Sequence, residues 1–261
     1  MKPDVEQRVR NEALYYDSGR LNRDSFRAPL AYLDGGIGRS RRDEAVRTAM
    51  QDAAGARVLE IGSQSWQSSL FRYGYRPETL VCINISEAEL ETGRAIAAQC
   101  GWSAEFRKMD AHNLAFEDGS FDIVFGTAIL HHLEFSRALR EIHRVLRVGG
   151  KIVFVEPLRH NPVARLVRWL TPHARTPDEL PLGRPELHLI NRNFASMNHY
   201  TEMFAVLGAM VARPIFSNPV NPITRFCDRV DDSILRMIPA ANVYYRSVVI
   251  HGVRRSATWN S

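Results

Sequence analysis

Five short apolar runs, each followed by a turn and then by residues at helical spacing, constrain this chain more than any other feature. Residues 57–61, 80–83, 104–108, 121–126 and 151–156 have the length and side chains of strands. The run Phe121-Asp122-Ile123-Val124-Phe125-Gly126 has the apolar continuity of a strand buried on both faces. Between the runs, Ser86 with Glu89 three residues on predicts a capped helix through Leu90 and Ile96. Leu139, Ile142 and Leu146 recur with a helical period until Gly149-Gly150. Strands alternating with helices at this density predict a doubly wound α/β fold, a mostly parallel sheet with right-handed crossovers and helices on both faces. Ligands of such sheets sit beyond the carboxyl ends of the strands. The residues to examine are therefore 60–66, 84–86, 110–113 and 127–132.

The flanks differ in character from this centre. Helices are expected over 5–16 and 41–54, the second ended by Gly55, and residues 1–50 read as an N-terminal helical cap on a domain spanning 51–261. Prolines 162, 172, 177, 181 and 185 punctuate the chain after the fifth strand, so 158–200 reads as an inserted lid. Beyond it the pattern predicts a helix near 200–207, a strand near 211–216, a helix over 224–237 and a last strand over 246–253, which brings the sheet to seven strands.

Composition narrows the class. With 45% hydrophobic and 24% charged residues the chain is an ordinary globular protein. Every apolar run is broken well short of the roughly 18 residues of a membrane span, and the first residues lack the apolar segment of a signal peptide, so a cytoplasmic location is expected. Cys82, Cys100 and Cys227 stand far apart, which argues against a zinc site and against a disulfide framework. The formal charge of +5 is compatible with an anionic substrate, a membrane surface or RNA and selects none of them.

The order of five motifs, Val58-Leu59-Glu60-Ile61-Gly62, Ile83-Asn84-Ile85-Ser86, Met109-Asp110-Ala111, Phe121-Asp122-Ile123-Val124 and Arg144-Val145-Leu146-Arg147-Val148-Gly149-Gly150, resembles the class I S-adenosylmethionine-dependent methyltransferases. The resemblance covers about 57–157 and implies a Rossmann-like seven-stranded fold with S-adenosylmethionine as cofactor. A glycine after the first strand allows the tight turn that bares backbone N–H groups to a ligand, and Gly62 fills that place. By resemblance Glu60 orients this loop, and Gly62, Ser63 and Gln64 run beside the amino acid moiety of the cofactor. Asn84 and Ile85 fall at the ribose, Asp110 and Ala111 at the adenine, and Thr127 at the end of the fourth strand. Tyr15 and Tyr16 match the aromatic closure of small-molecule members, and His131 and His132 follow the fourth strand, where an imidazole can remove a proton near neutral pH.

The chain departs from the family pattern at two places. The usual Gly-x-Gly-x-Gly is Gly62-Ser63-Gln64-Ser65-Trp66, with Trp66 expected to turn into the core. The second strand ends on Asn84 instead of the usual carboxylate, which predicts weaker ribose binding unless Ser86 or Glu87 compensates.

The activity implied is methyl transfer to an oxygen, nitrogen or carbon of a small molecule, with an anionic acceptor suggested by Arg159, His160, Asn161, Arg165, Arg168, Trp169, His173 and Arg175 in the lid and a lipid-like one by Val163, Leu166, Val167 and Leu170 at helical spacing. A non-methyl-transfer reaction, such as cyclisation of the cofactor's aminobutyryl chain, is the alternative, and a non-catalytic cofactor-binding protein is the third reading. The chain lacks an RNA-binding module and an Asn-Pro-Pro-Tyr-type signature, which disfavours nucleic-acid modification. Residues 62–67 supply a single glycine of the Gly-x-Gly-x-x-Gly that a dinucleotide oxidoreductase needs.

Overall fold

A computed structural model describes residues 5–17, 32, 36–170, 179–256 and 258–260. Its centre is one seven-stranded sheet in the order β3-β2-β1-β4-β5-β7-β6. The strands are β1 (Arg57–Ile61), β2 (Thr79–Asn84), β3 (Glu105–Lys108), β4 (Phe121–Thr127), β5 (Leu146–Pro157), β6 (Phe194–Thr201) and β7 (Ser247–Arg254). The first five run parallel, and β7 inserts antiparallel between β5 and β6. This is the predicted α/β architecture.

Two apolar cores, one on each face, hold the sheet between its helices. Along β1, Leu59 and Ile61 join one core while Val58 joins the other, the period-two alternation of a pleated strand. The helices are α1 (Val5–Asp17), α2 (Ile37–Ala49), α3 (Trp66–Ser69), α4 (Glu87–Gln99), α5 (Phe135–Val145), α6 (Pro162–Leu170), α7 (Arg184–Asn193), α8 (Ala205–Ala212) and α9 (Pro222–Met237). In α5, Ala138, Leu139, Ile142 and Val145 make the buried stripe. Each fully buried leucine or isoleucine there contributes about 1.5–3 kcal/mol of transfer free energy. Ser86 caps α4 by accepting from the Glu89 N–H at 3.3 Å. No helix among the described residues is long and apolar enough to cross a membrane.

Four expectations need correction. The helix expected over 41–54 is α2, ending at Ala49, plus a 3-10 turn at Gln51–Ala53. The α5 helix ends at Val145, so Gly149 and Gly150 lie inside β5 rather than at a helix stop. The strand near 211–216 and the helix near 200–207 are reversed: the chain forms β6 first and then α8. The cause is side-chain character, since β6 mixes polar Ser196, Asn198, His199 and Thr201 with apolar residues on both faces, whereas α8 is apolar all round, and neither run carries a period.

The lid is correspondingly shorter. Residues 184–201 form the crossover helix α7 and strand β6, leaving 158–183 as the insertion, of which 171–178, with His173 and Arg175, lie outside the described residues. The cap also divides. Val46, Ala49 and Met50, in and just after α2, belong to a core of the sheet, so among the described residues of this region α1 is the part that lies over the cavity.

Candidate active site

A cavity of about 420 Å³ opens at the carboxyl ends of β1, β2 and β4, under α1. Ten of the expected residues line it: Tyr16, Gly62, Ser63, Gln64, Asn84, Ile85, Asp110, Ala111, Thr127 and His132. Tyr15, Glu60 and His131 do not. Tyr15 packs edge-on against Tyr16, at 5.5 Å between ring centroids.

Glu60 acts beneath the loop. It is fully buried, and its carboxylate accepts the Ser65 N–H at 2.6 Å, the Trp66 N–H at 3.3 Å and the Cys82 thiol at 3.3 Å. Burial pushes its pKa up to about 7, against the pull of the backbone donors. Gly62 turns the chain above it with φ of 116°, a conformation that other L residues rarely adopt. Trp66 is wholly buried and stacks on Trp102 at 5.9 Å, so the substituted glycine position faces the core, as expected.

The rest of the loop is tied to α4. Ser63 Oγ donates to the Glu89 carbonyl at 3.0 Å, and Gln64 Nε2 donates to the Glu89 carboxylate at 2.6 Å. A Cβ at Gly93 would lie 2.5 Å from the Ser63 carbonyl, so this glycine is what lets the helix approach the loop. Asn84 holds the same network: its Nδ2 donates to Ser63 Oγ at 3.2 Å and its Oδ1 accepts the Ser86 N–H at 3.0 Å. Ser86 is buried with its hydroxyl donating to Asp17, and Glu87 pairs with Arg94 at 2.9 Å. Neither lines the cavity, whereas Glu89 does.

Asp110 is held by His112, whose backbone N–H and Nδ1 lie 2.9 and 2.6 Å from Oδ1. The Glu134 N–H donates to His112 Nε2 at 2.8 Å, so Nδ1 carries the proton toward Asp110. Burial works against the Asp110 charge, but the His112 bonds outweigh it and lower the pKa.

After β4, Ala128 takes a left-handed φ of 53°, a conformation that costs a non-glycine residue on the order of 1 kcal/mol. The turn aims the Ile129 and Leu130 N–H groups at Glu156 Oε1, at 2.9 and 2.8 Å. His131 then points inward, with Nδ1 2.7 Å from Glu156 Oε2, while His132 faces the cavity. His132 Nδ1 lies 3.2 Å from Glu12 and its Nε2 lies 3.3 Å from the Tyr16 hydroxyl. Burial opposes its charged form, but the bond to Glu12 and the charges of Glu12, Glu179 and Glu156 prevail, and the pKa is raised. Arg8 completes the closure by donating to the His132 and His131 carbonyls at 2.7 and 3.1 Å.

Arg8, Glu12 and Glu156 were not singled out from the sequence, Glu89 was read only as a helix-capping residue, and His112 only as part of the stretch 110–113. Their signal was faint: Arg8 and Glu12 are two charges one turn apart in a charged helix, and their partners lie more than a hundred residues away. In the lid, Arg159 pairs with Glu186 at 2.9 Å, Arg168 donates to the Arg159 carbonyl, and Asn161 donates to the Tyr244 carbonyl. Among the described residues, Arg159 and Asn161 thus tie the insertion to neighbouring segments, and Arg168 ties it to itself.

Residues 59–154 match the model of the methyltransferase domain family. A sarcosine/dimethylglycine N-methyltransferase of Aphanothece halophytica is 29% identical over 41% of this chain and 39% of its own length. A phthiotriol/phenolphthiotriol dimycocerosates methyltransferase of Mycobacterium tuberculosis is 31% identical over 50% of this chain and 48% of its own. The chain thus spans under half the length of these curated relatives. Among solved structures, a geranyl diphosphate methyltransferase in complex with S-adenosylmethionine superposes with a TM-score of 0.58 at 17% identity, covering 82% of this chain and 85% of that one. The [4+2]-cyclase SpnF superposes with a TM-score of 0.54 at 19% identity, over 82% and 80%.

Proposed function

We propose that the chain, whose residues 59–154 match the methyltransferase domain family, binds S-adenosylmethionine and transfers its methyl group to a nucleophilic atom of a small molecule. The observation that carries this is one cavity in which Gly62, Asn84 and Asp110 share a wall system with His132, a histidine held on both ring nitrogens. A sulfonium methyl is already activated, so the protein's main contribution is alignment of nucleophile, methyl carbon and sulfur. Gly62 and Ser63 would seat the amino acid moiety. Asn84, with Glu89 beside it, would meet the ribose, and Asp110 with Ala111 would meet the adenine. Asn84 brings no charge of its own to the hydroxyls, so Glu89 is the residue that answers for the missing carboxylate.

His132 would take the acceptor's proton as the methyl arrives, with Glu12 orienting the imidazole and stabilising its cation. Its raised pKa places the neutral, proton-accepting form above its ordinary range, so turnover is expected to rise with pH through that region. The acceptor class is a small molecule.

Titration calorimetry with S-adenosylmethionine and with NAD, followed by mass spectrometry of the incubated cofactor, tests the reading. Binding of the first alone, with S-adenosylhomocysteine formed only when an acceptor is supplied, is expected. Methylthioadenosine appearing without acceptor would replace methyl transfer by cofactor cyclisation, and binding of neither nucleotide would end both.

A further inference from the structure

Beside the cavity lies a buried group, Glu156, His131 and Glu179, that the proposed methyl transfer does not use and that adjoins His132. Glu156 accepts two backbone N–H bonds on Oε1, and its Oε2 faces His131 Nδ1, which therefore carries the proton. The lone pair of His131 is left on Nε2, and it faces another acceptor, Glu179 Oε1, at 3.9 Å. Two possible ligand atoms thus face each other in a buried place. His132 completes the set: one donor atom from each of His131, His132 and Glu179 lies within 4.8 Å of the others. Their side chains are only 6%, 11% and 12% exposed, so these are not solvated surface groups. The segment bearing Glu179 is anchored to the same turn, because the Leu180 N–H donates to the His131 carbonyl at 2.8 Å.

We propose that His131, His132 and Glu179 form a binding site for a divalent transition-metal ion of the Zn²⁺ class. Two imidazoles and one carboxylate are a donor set that favours such ions over Mg²⁺, which prefers oxygen alone. Glu156 supplies the outer bond that fixes the tautomer and orientation of a ligating histidine. Ligand bonds of about 2.1 Å in a tetrahedral site put donor atoms about 3.4 Å apart, so the three, now within 4.8 Å of one another, must close by up to about 1.4 Å. Closure requires Glu179 to turn toward the two rings and a nitrogen of His132 to exchange its Glu12 or Tyr16 partner for the ion.

The site rests on side-chain geometry alone. Its consequence rests on the methyl-transfer reading: an imidazole bound to a metal accepts no proton, so metal occupancy and proton removal by His132 exclude one another. Metal binding is therefore inhibitory.

The test uses the full chain, stripped by a chelator, without cofactor or acceptor. Calorimetric titration with Zn²⁺ at pH 7.5 is expected to give one ion per chain with proton release, and titration with Mg²⁺ no heat of binding. Co²⁺ is expected to develop the visible absorption of nitrogen ligation. Glu179→Gln should weaken Zn²⁺ binding tenfold or more at an unchanged melting temperature, and His131→Gln should do the same where it folds. Absence of stoichiometric Zn²⁺ binding, or equal affinity in Glu179→Gln, would overturn the proposal. A chain that bound Zn²⁺ but not S-adenosylmethionine would keep the metal site and lose the proposed activity.

Discussion

Glu60 links the cofactor loop to the pH of the solution. Burial holds its pKa near 7, above the ordinary 4.5. A carboxyl group raised in this way favours the folded state fully below its unfolded pKa, and that advantage fades as the pH climbs toward 7. A shift of this size corresponds to on the order of 3 kcal/mol. Urea unfolding of the wild type and of Glu60→Gln, run from pH 4.5 to 7.5, should therefore give curves that diverge by up to about 3 kcal/mol, with the wild type losing more. Parallel curves would mean that Glu60 titrates normally. At this scale the sequence showed which residues line the cavity wherever a strand end dictates it, as at Gly62, Asn84 and Asp110. It did not show which of two adjacent histidines faces inward. That choice depends on Ala128 turning left-handed and on Glu156 taking His131, and neither leaves a local pattern.

The α1 helix behaves as a strap. Its polar ties run from Arg8 to the two histidine carbonyls, from Glu12 and Tyr16 to His132, and from Asp17 to Ser86. Hydrogen bonds from a charged group contribute about 1.5–3 kcal/mol each when buried and less when half-exposed, as here. Arg8→Ala should thus speed amide hydrogen exchange in α1 by roughly tenfold while leaving β1 and β4 protected. Equal exchange in both proteins would show that the strap is held by its other contacts. Elements with a strong period, such as α5 and β4, were legible from the sequence to within a few residues. The β6–α8 pair was not, because an outer strand with polar and apolar residues on both faces and a helix apolar all round each lack the period that would tell them apart.

In the molecule as a whole, the sheet order brings the ends of β1, β2 and β4 side by side, so a single ligand touches segments that lie far apart in the chain. Occupancy should consequently stabilise the entire fold. At a hundred times its dissociation constant, S-adenosylhomocysteine contributes about 2.7 kcal/mol, which for a chain of this size raises the melting temperature by roughly 5–10 °C. Differential scanning calorimetry measures this directly, and an unmoved transition would count against a cofactor site here. The strap also sets a clock. Because α1 lies over the cavity, release of those ties is expected to pace the exchange of a bound molecule, so that residence time follows a motion of the protein as well as the ligand's own affinity. Rapid-mixing experiments should then show an association rate that levels off at high concentration, and the plateau is the opening frequency of the first helix.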